Sequence, residues 1–437
     1  MDKNTSYRIR FSATLYTLFL YLGFSGFIQR KSLKRLLLYV KEHNKYFSKL
    51  LQGKDITTKN AIDILHELPL LSKEIIKQQG KNIYNDNITE NWKNWRNTGG
   101  STGEPLHFPV YYQKSFFFDR ELIHQAYLYR KMGCSISDKI AAIDGSRISD
   151  VDIQNKKFWN VKKNGFPYGN IRYSTLYLNE ENFEYYYNSI NTEKPVILRG
   201  YPSGVKTFCQ ILRERNLKLS FNLKAVYLTS ENYDEDMASY ISDILGCEVW
   251  GQYGHTEISI FAYKKPHETC YYCSPLYGIT EILDENGNHV NEGECGEIVV
   301  TGFTNVGLPF IRYKTGDLAI YGGGKKNGTV IIKNLLGRSK DYIYDKQGKK
   351  VYLVGFIFGG HIKAFNDIKE WQIHQREKGK LTIYIVKGNT YTQSTEDELK
   401  DFFDKKEYDI ELIYTDKIEK TLRGKQKFLI QEIKEDE

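Results

Sequence analysis

An α/β body with mixed sheets, followed by a small α+β domain, is the fold that this 437-residue chain predicts, and three observations predict it. The chain is too long for one ordinary core. From residue 100 onward, helical and strand periodicities alternate, as they do where a sheet is layered with helices. After residue 275 the texture changes to strands joined by tight turns, and the last hundred residues restart with strand and helix signals of their own. A boundary is expected near residue 340, with residues 1–339 as the large body and 340–437 as the small domain.

The elements follow in order. Residues 1–80 are expected to be helical. From Ser32 to Leu51, Leu33, Leu36, Leu37, Val40, Tyr46, Phe47 and Leu50 recur at spacings of mostly three, four and seven, which predicts one amphipathic helix. Ser72 before KEIIKQ is a candidate N-cap. Ala141–Asp144, Val196–Arg199 and Ala225–Thr229 are apolar runs of buried-strand length, and Phe208–Arg215 and Tyr240–Leu245 have helical spacing. Ile279–Leu283 and Gly296–Thr301 flank the turn sequence DENGN. Leu381–Val386, Glu396–Phe403 and Ile410–Tyr414 predict strand, helix and strand in the small domain. No internal repeat is visible.

Charge is distributed unevenly. Residues 1–50 hold ten basic groups against Asp2 and Glu42, so this segment carries the whole formal charge of +8. The remainder is formally neutral, which argues against nucleic acid as a partner and confines any anionic surface partner to the N-terminus. Residues 11–29 contain no charged side chain. Three readings stand: a buried helix pair, a peripheral helix on an anionic membrane surface, and a transmembrane or signal segment. The run is basic on both flanks, contains Gly, Ser, Thr and Tyr, and lacks a small-residue cleavage site, all of which weigh against the third. Six cysteines in a chain of this length do not make a disulfide framework and read as reduced thiols.

Five short motifs carry the chemistry. Thr98-Gly-Gly-Ser-Thr-Gly-Glu-Pro105 offers hydroxyls and unobstructed backbone N–H groups that can converge on a phosphate, or it is a surface turn; it lacks the Gly-Lys-Ser/Thr ending of a P-loop. Gln252-Tyr-Gly-His-Thr-Glu257 follows an apolar run, which places it at a strand end where ligands gather, or it is a plain turn. There Tyr253 can stack on a purine, Thr256 can bond a phosphate oxygen and Glu257 is a hard oxygen ligand for Mg²⁺. In Arg312-Tyr-Lys-Thr-Gly-Asp317 the carboxylate suits two ribose hydroxyls, with an Arg312 pairing as the alternative. Arg338 of Gly337-Arg-Ser-Lys-Asp341 is a cationic fork for ribose or phosphate, or one half of a surface ion pair. Lys425 of Lys420-Thr-Leu-Arg-Gly-Lys425 is either a solvated charge or an ammonium that stabilises charge as pyrophosphate leaves, with Lys427 as its competitor. Outside these, His267, Cys270 and Cys273 have the spacing of a zinc clip, within sequence range of Cys247, His255 and Cys295; ordinary half-buried thiols are the alternative.

In this order and at these separations, the five motifs resemble the signature of the adenylate-forming superfamily. With Leu68-Pro-Leu-Leu-Ser-Lys73, Gly200-Tyr-Pro-Ser203, Tyr271–Gly278, Asn305–Tyr313 and Gly424–Ile430, the chain resembles the phenylacetate-CoA ligase-like branch and its capsular polysaccharide biosynthesis members. That resemblance implies a large N-terminal body with a mobile C-terminal lid. It implies ATP held by Thr98, Gly100, Ser101, Thr102 and Gly103 at the phosphates, by Ser230, Glu231 and Tyr253 at adenine, and by Asp317 and Arg338 at ribose. It further implies Mg²⁺ at Glu257, Lys425 as the adenylation lysine and Lys340 as the hinge. Glu104 departs from the Lys of many relatives.

The expected activity is ATP-dependent activation of a carboxylic acid to an acyl adenylate, then acyl transfer to a thiol such as CoA or to an amine, in capsule, exopolysaccharide or O-antigen synthesis. The expected location is the cytoplasm, with a peripheral contact at the inner membrane face through residues 1–50. The alternative from another class is a catalytically silent nucleotide-binding scaffold of a polysaccharide assembly.

Overall fold

The computed structural model describes residues 3–87, 95–98, 106–111, 120–339, 341–357, 362–421 and 424–433. By internal contacts the chain divides into two compact units. One comprises Met1–Lys131, Gln252–Lys264 and Cys270–Asn334; the other comprises Met132–Gly251, Lys265–Thr269 and Leu335–Glu437.

The first unit opens with two helices, α1 (Lys3–Tyr21) and α2 (Ser25–His43), joined by a turn in which Gly23 takes a φ of +74°. The apolar spacing on α2 buries Leu33, Leu36, Leu37 and Val40. The single helix expected over residues 32–51 is broken at Asn44, which has an extended backbone and starts a new helix, Lys45–Leu50. Its side-chain oxygen accepts from Phe47 N at 3.0 Å, and its amide donates to Ile83 O at 2.7 Å. These two bonds compensate the helix break. Among the described residues no helix is long and apolar enough to cross a membrane.

Helices Ala61–Glu67, Lys73–Gln79 and Arg120–Lys131 follow, and the sheet of this unit is antiparallel, in the order Gly278–Leu283, Cys295–Gly302, Tyr313–Gly324, Val330–Arg338, Tyr271–Cys273 and Phe261–Lys264. The predicted hairpin around DENGN is present: Asp284 Oδ1 accepts from Asn286 N and Asn288 N, and Gly287 has a φ of +82°.

The second unit is built on parallel strands in the order Ala225–Thr229, Ile197–Gly200, Ile140–Asp144 and Ile171–Ser174, with Trp159–Val161 antiparallel at the edge. Every residue of Ala225–Thr229 is buried, as befits a strand covered on both faces. Helices Phe183–Glu193, Pro202–Glu214 and Glu235–Leu245 pack with these strands around Ile143, Phe183, Phe208 and Ile241.

The same unit contains the C-terminal four-stranded sheet, ordered Asp409–Tyr414, Lys380–Lys387, Ile368–Glu377 and Leu429–Gln431, with helix Gln393–Lys405 and a core around Trp371, Ile383 and Phe403. Its junction with the parallel-strand region is polar. Lys206 Nζ donates to Phe365 O at 2.8 Å and Ile368 O at 3.2 Å, and Gln210 Nε2 donates to Ile368 O at 3.2 Å. Lys420 Nζ, paired with Glu370 at 3.2 Å, donates to Thr175 O at 3.4 Å, and Lys369 pairs with Glu180.

Burial lowers the pKa of Lys206 from its ordinary 10.5 to about 8, with Asp234 and Asp367 opposing the shift. Between these two values the unfolded chain binds the proton that the folded chain has released, so this group makes stability rise with pH. Lys206→Met removes the titration. Urea unfolding from pH 7 to 9.5 is therefore expected to show the parent gaining on the variant as pH rises; parallel curves would contradict the burial of this ammonium.

Candidate active site

In the first unit, the Gln252–Glu257 motif lies where strand Glu248–Gly254 ends. The Tyr253 hydroxyl donates to Asp317 Oδ2 at 2.6 Å, joining two motifs 64 residues apart. Asp317 is buried on strand Tyr313–Gly324, just after Gly316, whose φ is +75°. Its backbone N–H donates to Thr315 Oγ1 at 3.1 Å, and that hydroxyl donates to Ile298 O at 2.7 Å. The turn therefore fixes the carboxylate from two strands. Glu257 is also buried; Tyr313 donates to its Oε1 at 3.1 Å, and His255 Nδ1 stands 3.4 Å from its Oε2. Thr256 is half-buried between them.

Arg312 does not pair with Asp317. It is buried with a φ of +47°, and its guanidinium meets Glu281 at 3.1 Å. One of its nitrogens, Nη1, donates to both His66 O and Leu68 O at 2.8 Å. The arginine therefore fastens the N-terminal helical region to the strand that carries Tyr313 and Asp317.

Thr98 is buried, and its hydroxyl oxygen accepts from Leu106 N at 2.9 Å while its own N–H donates to Leu106 O at 3.0 Å. These bonds close the base of the loop. Gly100, Ser101, Thr102, Gly103 and Glu104 lie outside the described residues, as does Lys340.

In the second unit, Lys425 Nζ donates to Ser230 O at 2.8 Å and lies 5.4 Å from the centre of the Tyr201 ring. Ser230 has a φ of +76°, a strained value for a serine at the end of a strand. Glu231 accepts from Ser203 N at 3.0 Å and from Gln426 N at 3.3 Å. Desolvation nonetheless holds its carboxyl above the usual range, with Ser203, Lys425 and Gln426 opposing. The lysine is presented by Gly424, at φ +69°, where a Cβ would lie 2.4 Å from Thr175 Oγ1; Thr175 donates to Gly424 O at 2.9 Å. Only glycine fits that contact. Arg338 ends strand Val330–Arg338 and is half-buried.

Two residues beside this cluster escaped the sequence reading. Arg172, on strand Ile171–Ser174, pairs at 2.7 Å with Asp144, the last residue of the neighbouring parallel strand, and both act electrostatically on Tyr201. The one signal for them was an acid closing the apolar run Ala141–Asp144.

Glu257 suits Mg²⁺ in that it is a buried, oxygen-donating carboxylate, and a magnesium ion that travels with a triphosphate needs only one or two such protein ligands. Among the described residues no three His, Cys, Asp or Glu side chains assemble as a metal site, so His267, Cys270 and Cys273 are not gathered into a zinc clip. All six cysteines are free thiols, and burial pushes Cys273 up to about 12.

No family model matches the chain. Among solved structures it is similar to 2-hydroxyisobutyryl-CoA ligase in the postadenylation state with R3-HIB-AMP. The TM-score is 0.69 and the identity 15%, over 92% of this chain and 89% of that one. The same ligase with 2-HIB-AMP and CoA in the thioesterification state gives a TM-score of 0.55 at 16% identity, over 92% and 88% of the two chains. The chain thus has the fold of the adenylate-forming CoA ligases. Among curated proteins it is similar to Protein CapK of Staphylococcus aureus, with 25% identity over 424 residues that span 93% of this chain and 89% of that protein.

Replacing Arg312 with Ala leaves Glu281 buried without its cation and two carbonyls without a donor. The expected cost is about 3–5 kcal/mol, with Arg312→Lys recovering part of it because one ammonium cannot serve every acceptor. Urea unfolding measures both; equal stability of Arg312→Ala and parent would contradict this assignment.

Proposed function

We propose that this protein is an ATP-dependent carboxylate ligase that forms an acyl adenylate and passes the acyl group to a thiol or an amine. The observation that carries the reading is Lys425, brought across 195 residues onto Ser230 beside Glu231 and Tyr201. The likeness to ligases captured with acyl-AMP supports it.

In the first half-reaction a carboxylate oxygen attacks the α-phosphorus of ATP in line. The new O–P bond forms as the bond to the β-phosphate oxygen breaks, and pyrophosphate leaves. The acid arrives ionised, so no general base is required, and His255 has no proton to take. Lys425 stabilises the charge that develops across the carboxylate and α-phosphate oxygens. Tyr253, Ser230 and Glu231 hold adenine, Asp317 and Arg338 hold ribose, and Thr98, Gly100, Ser101, Thr102, Gly103 and Thr256 bond the phosphates. Glu257 would hold Mg²⁺, which supplies neutralisation of phosphate charge when bound.

In the second half-reaction the acceptor's sulfur or nitrogen attacks the acyl carbonyl, AMP leaves with the electron pair of the broken C–O bond, and the acceptor's proton is lost to solvent. Residues 340–437 turn about Lys340 between the two steps. The likeness to Protein CapK supports a place in capsule or related polysaccharide synthesis, and an ATP-consuming step suits the cytoplasm.

Carboxylate-dependent exchange of pyrophosphate into ATP, screened over aryl, acyl, amino and uronic acids, tests the proposal. One class of acid is expected to support exchange, and Lys425→Ala to lower it by about 10²–10³-fold. Absence of exchange with every class in folded, ATP-binding protein would instead favour the silent scaffold. For ribose, Asp317→Ala is expected to weaken ATP binding by roughly tenfold or more, the worth of hydrogen bonds to a charged group. An unchanged ATP affinity by calorimetry would remove Asp317 from the nucleotide site.

A further inference from the structure

The α1–α2 hairpin, with Ile123, His124 and Leu276, lines a half-open cavity of about 350 Å³ in the first unit, and none of its lining residues is among those assigned to nucleotide chemistry. That volume is within the roughly 300–1,000 Å³ of small-molecule sites. Phe19, Phe24, Phe27, Ile28, Ile123 and Leu276 form the apolar wall. Tyr16 and His124 also line it, but their polar atoms are engaged with each other's neighbour: the Tyr16 hydroxyl and His124 Nε2 each lie 2.6 Å from Ser274 Oγ. What they add to the wall is therefore largely ring surface.

Lys31 and Arg35 complete the lining from one face of α2, four residues apart and exposed. Neither has an ion pair or hydrogen bond among the described residues. At the turn between the helices Leu22, Phe24 and Phe27 are each half or more exposed, as is Phe11 farther along α1. Large aromatic and aliphatic groups exposed at a helical turn, beside cations that no carboxylate among the described residues pairs, are the features of a surface that meets anionic lipid. The cavity adds something a flat amphipathic helix lacks, which is a place for one hydrocarbon chain.

We propose that the hairpin docks on a membrane surface and draws the chain of one phosphate-headed lipid into this cavity, with the phosphate at Lys31 and Arg35. The charge of residues 1–50 supplies long-range attraction to the surface, and the cavity selects a chain joined to an anionic head. The inference rests on none of the adenylation chemistry. Failure of one leaves the other standing, because pyrophosphate exchange by Lys31→Glu/Arg35→Glu protein is expected to match the parent.

The full-length chain is titrated with dodecyl phosphate below its micelle concentration, and separately sedimented with vesicles of phosphatidylcholine alone or mixed with phosphatidylglycerol. One saturable dodecyl phosphate site is expected. Inorganic phosphate should not displace it, and dodecyl trimethylammonium should bind about tenfold or more weakly, as should dodecyl phosphate to Lys31→Glu/Arg35→Glu. Ser32→Trp, which narrows the cavity and leaves both cations, is expected to lose dodecyl phosphate as well. The parent should sediment with the phosphatidylglycerol vesicles and not with phosphatidylcholine alone. No saturable site in folded protein, equal affinity for the two detergent heads, displacement by inorganic phosphate, or undiminished binding by the charge-reversed protein would each overturn the proposal. So would dodecyl phosphate binding without vesicle binding, since it would remove the membrane as the source.

Discussion

The first unit depends on a single buried guanidinium. Arg312 reaches Glu281 on one side and the carbonyls of His66 and Leu68 on the other, while Leu71 donates to its carbonyl and accepts from Lys314. Helical segment and sheet are stitched at one residue, and the next residue, Tyr313, is the one that bonds Glu257. A buried ion pair adds little net stability over an apolar pair of the same size. Its effect here is on register. Moving this strand by one position would turn Arg312 to the other face and carry Tyr313 and Asp317 away from Glu257 and Tyr253.

The second unit solves a comparable problem with backbone. Gly424 is pressed against Thr175 so closely that a side chain cannot enter, and this contact aims the next residue, Lys425, at Ser230. Ser230 itself adopts a left-handed φ, directly after the last residue of a fully buried strand. Strain at the end of a strand beside a cation and a carboxyl whose pKa burial has raised is the arrangement expected where a fold has been shaped for a ligand. Asp144 ends its strand and draws Arg172 of the neighbouring strand toward it, so the parallel sheet gathers charge where its carboxyl ends point.

Much of this was legible in the sequence, for reasons that differ by element. The strands at Ile140–Asp144, Ile197–Gly200 and Ala225–Thr229 were readable because burial on both faces leaves an apolar run. The strand–helix–strand order of the C-terminal sheet was readable from alternation and helical spacing. Asn44 was not, because the apolar spacing continues across it into Phe47 and only its side-chain bonds to Phe47 and Ile83 reveal the break. The Arg312–Glu281 pair was hidden as well: 31 residues separate the partners, and an acid in the apolar run Ile279–Leu283 carries no mark of which cation it will meet. The motifs named Asp317, Glu257 and Lys425 as residues of interest, but the Tyr253 hydroxyl on Asp317 and the Lys425 ammonium on Ser230 are products of the fold.

The acceptor under Lys425 has a consequence of its own. Ser230 offers a carbonyl, a neutral oxygen with partial charge, to an ammonium that carries a full one. Such a bond orients the side chain and orders its four-carbon stem, yet it lacks the charge–charge attraction that an ionised oxygen would add. Any anionic oxygen brought to the same distance displaces the carbonyl downhill, and the stem is already ordered when it arrives. The lysine is thereby aligned at rest, beside Glu231, ahead of the charge it is proposed to meet.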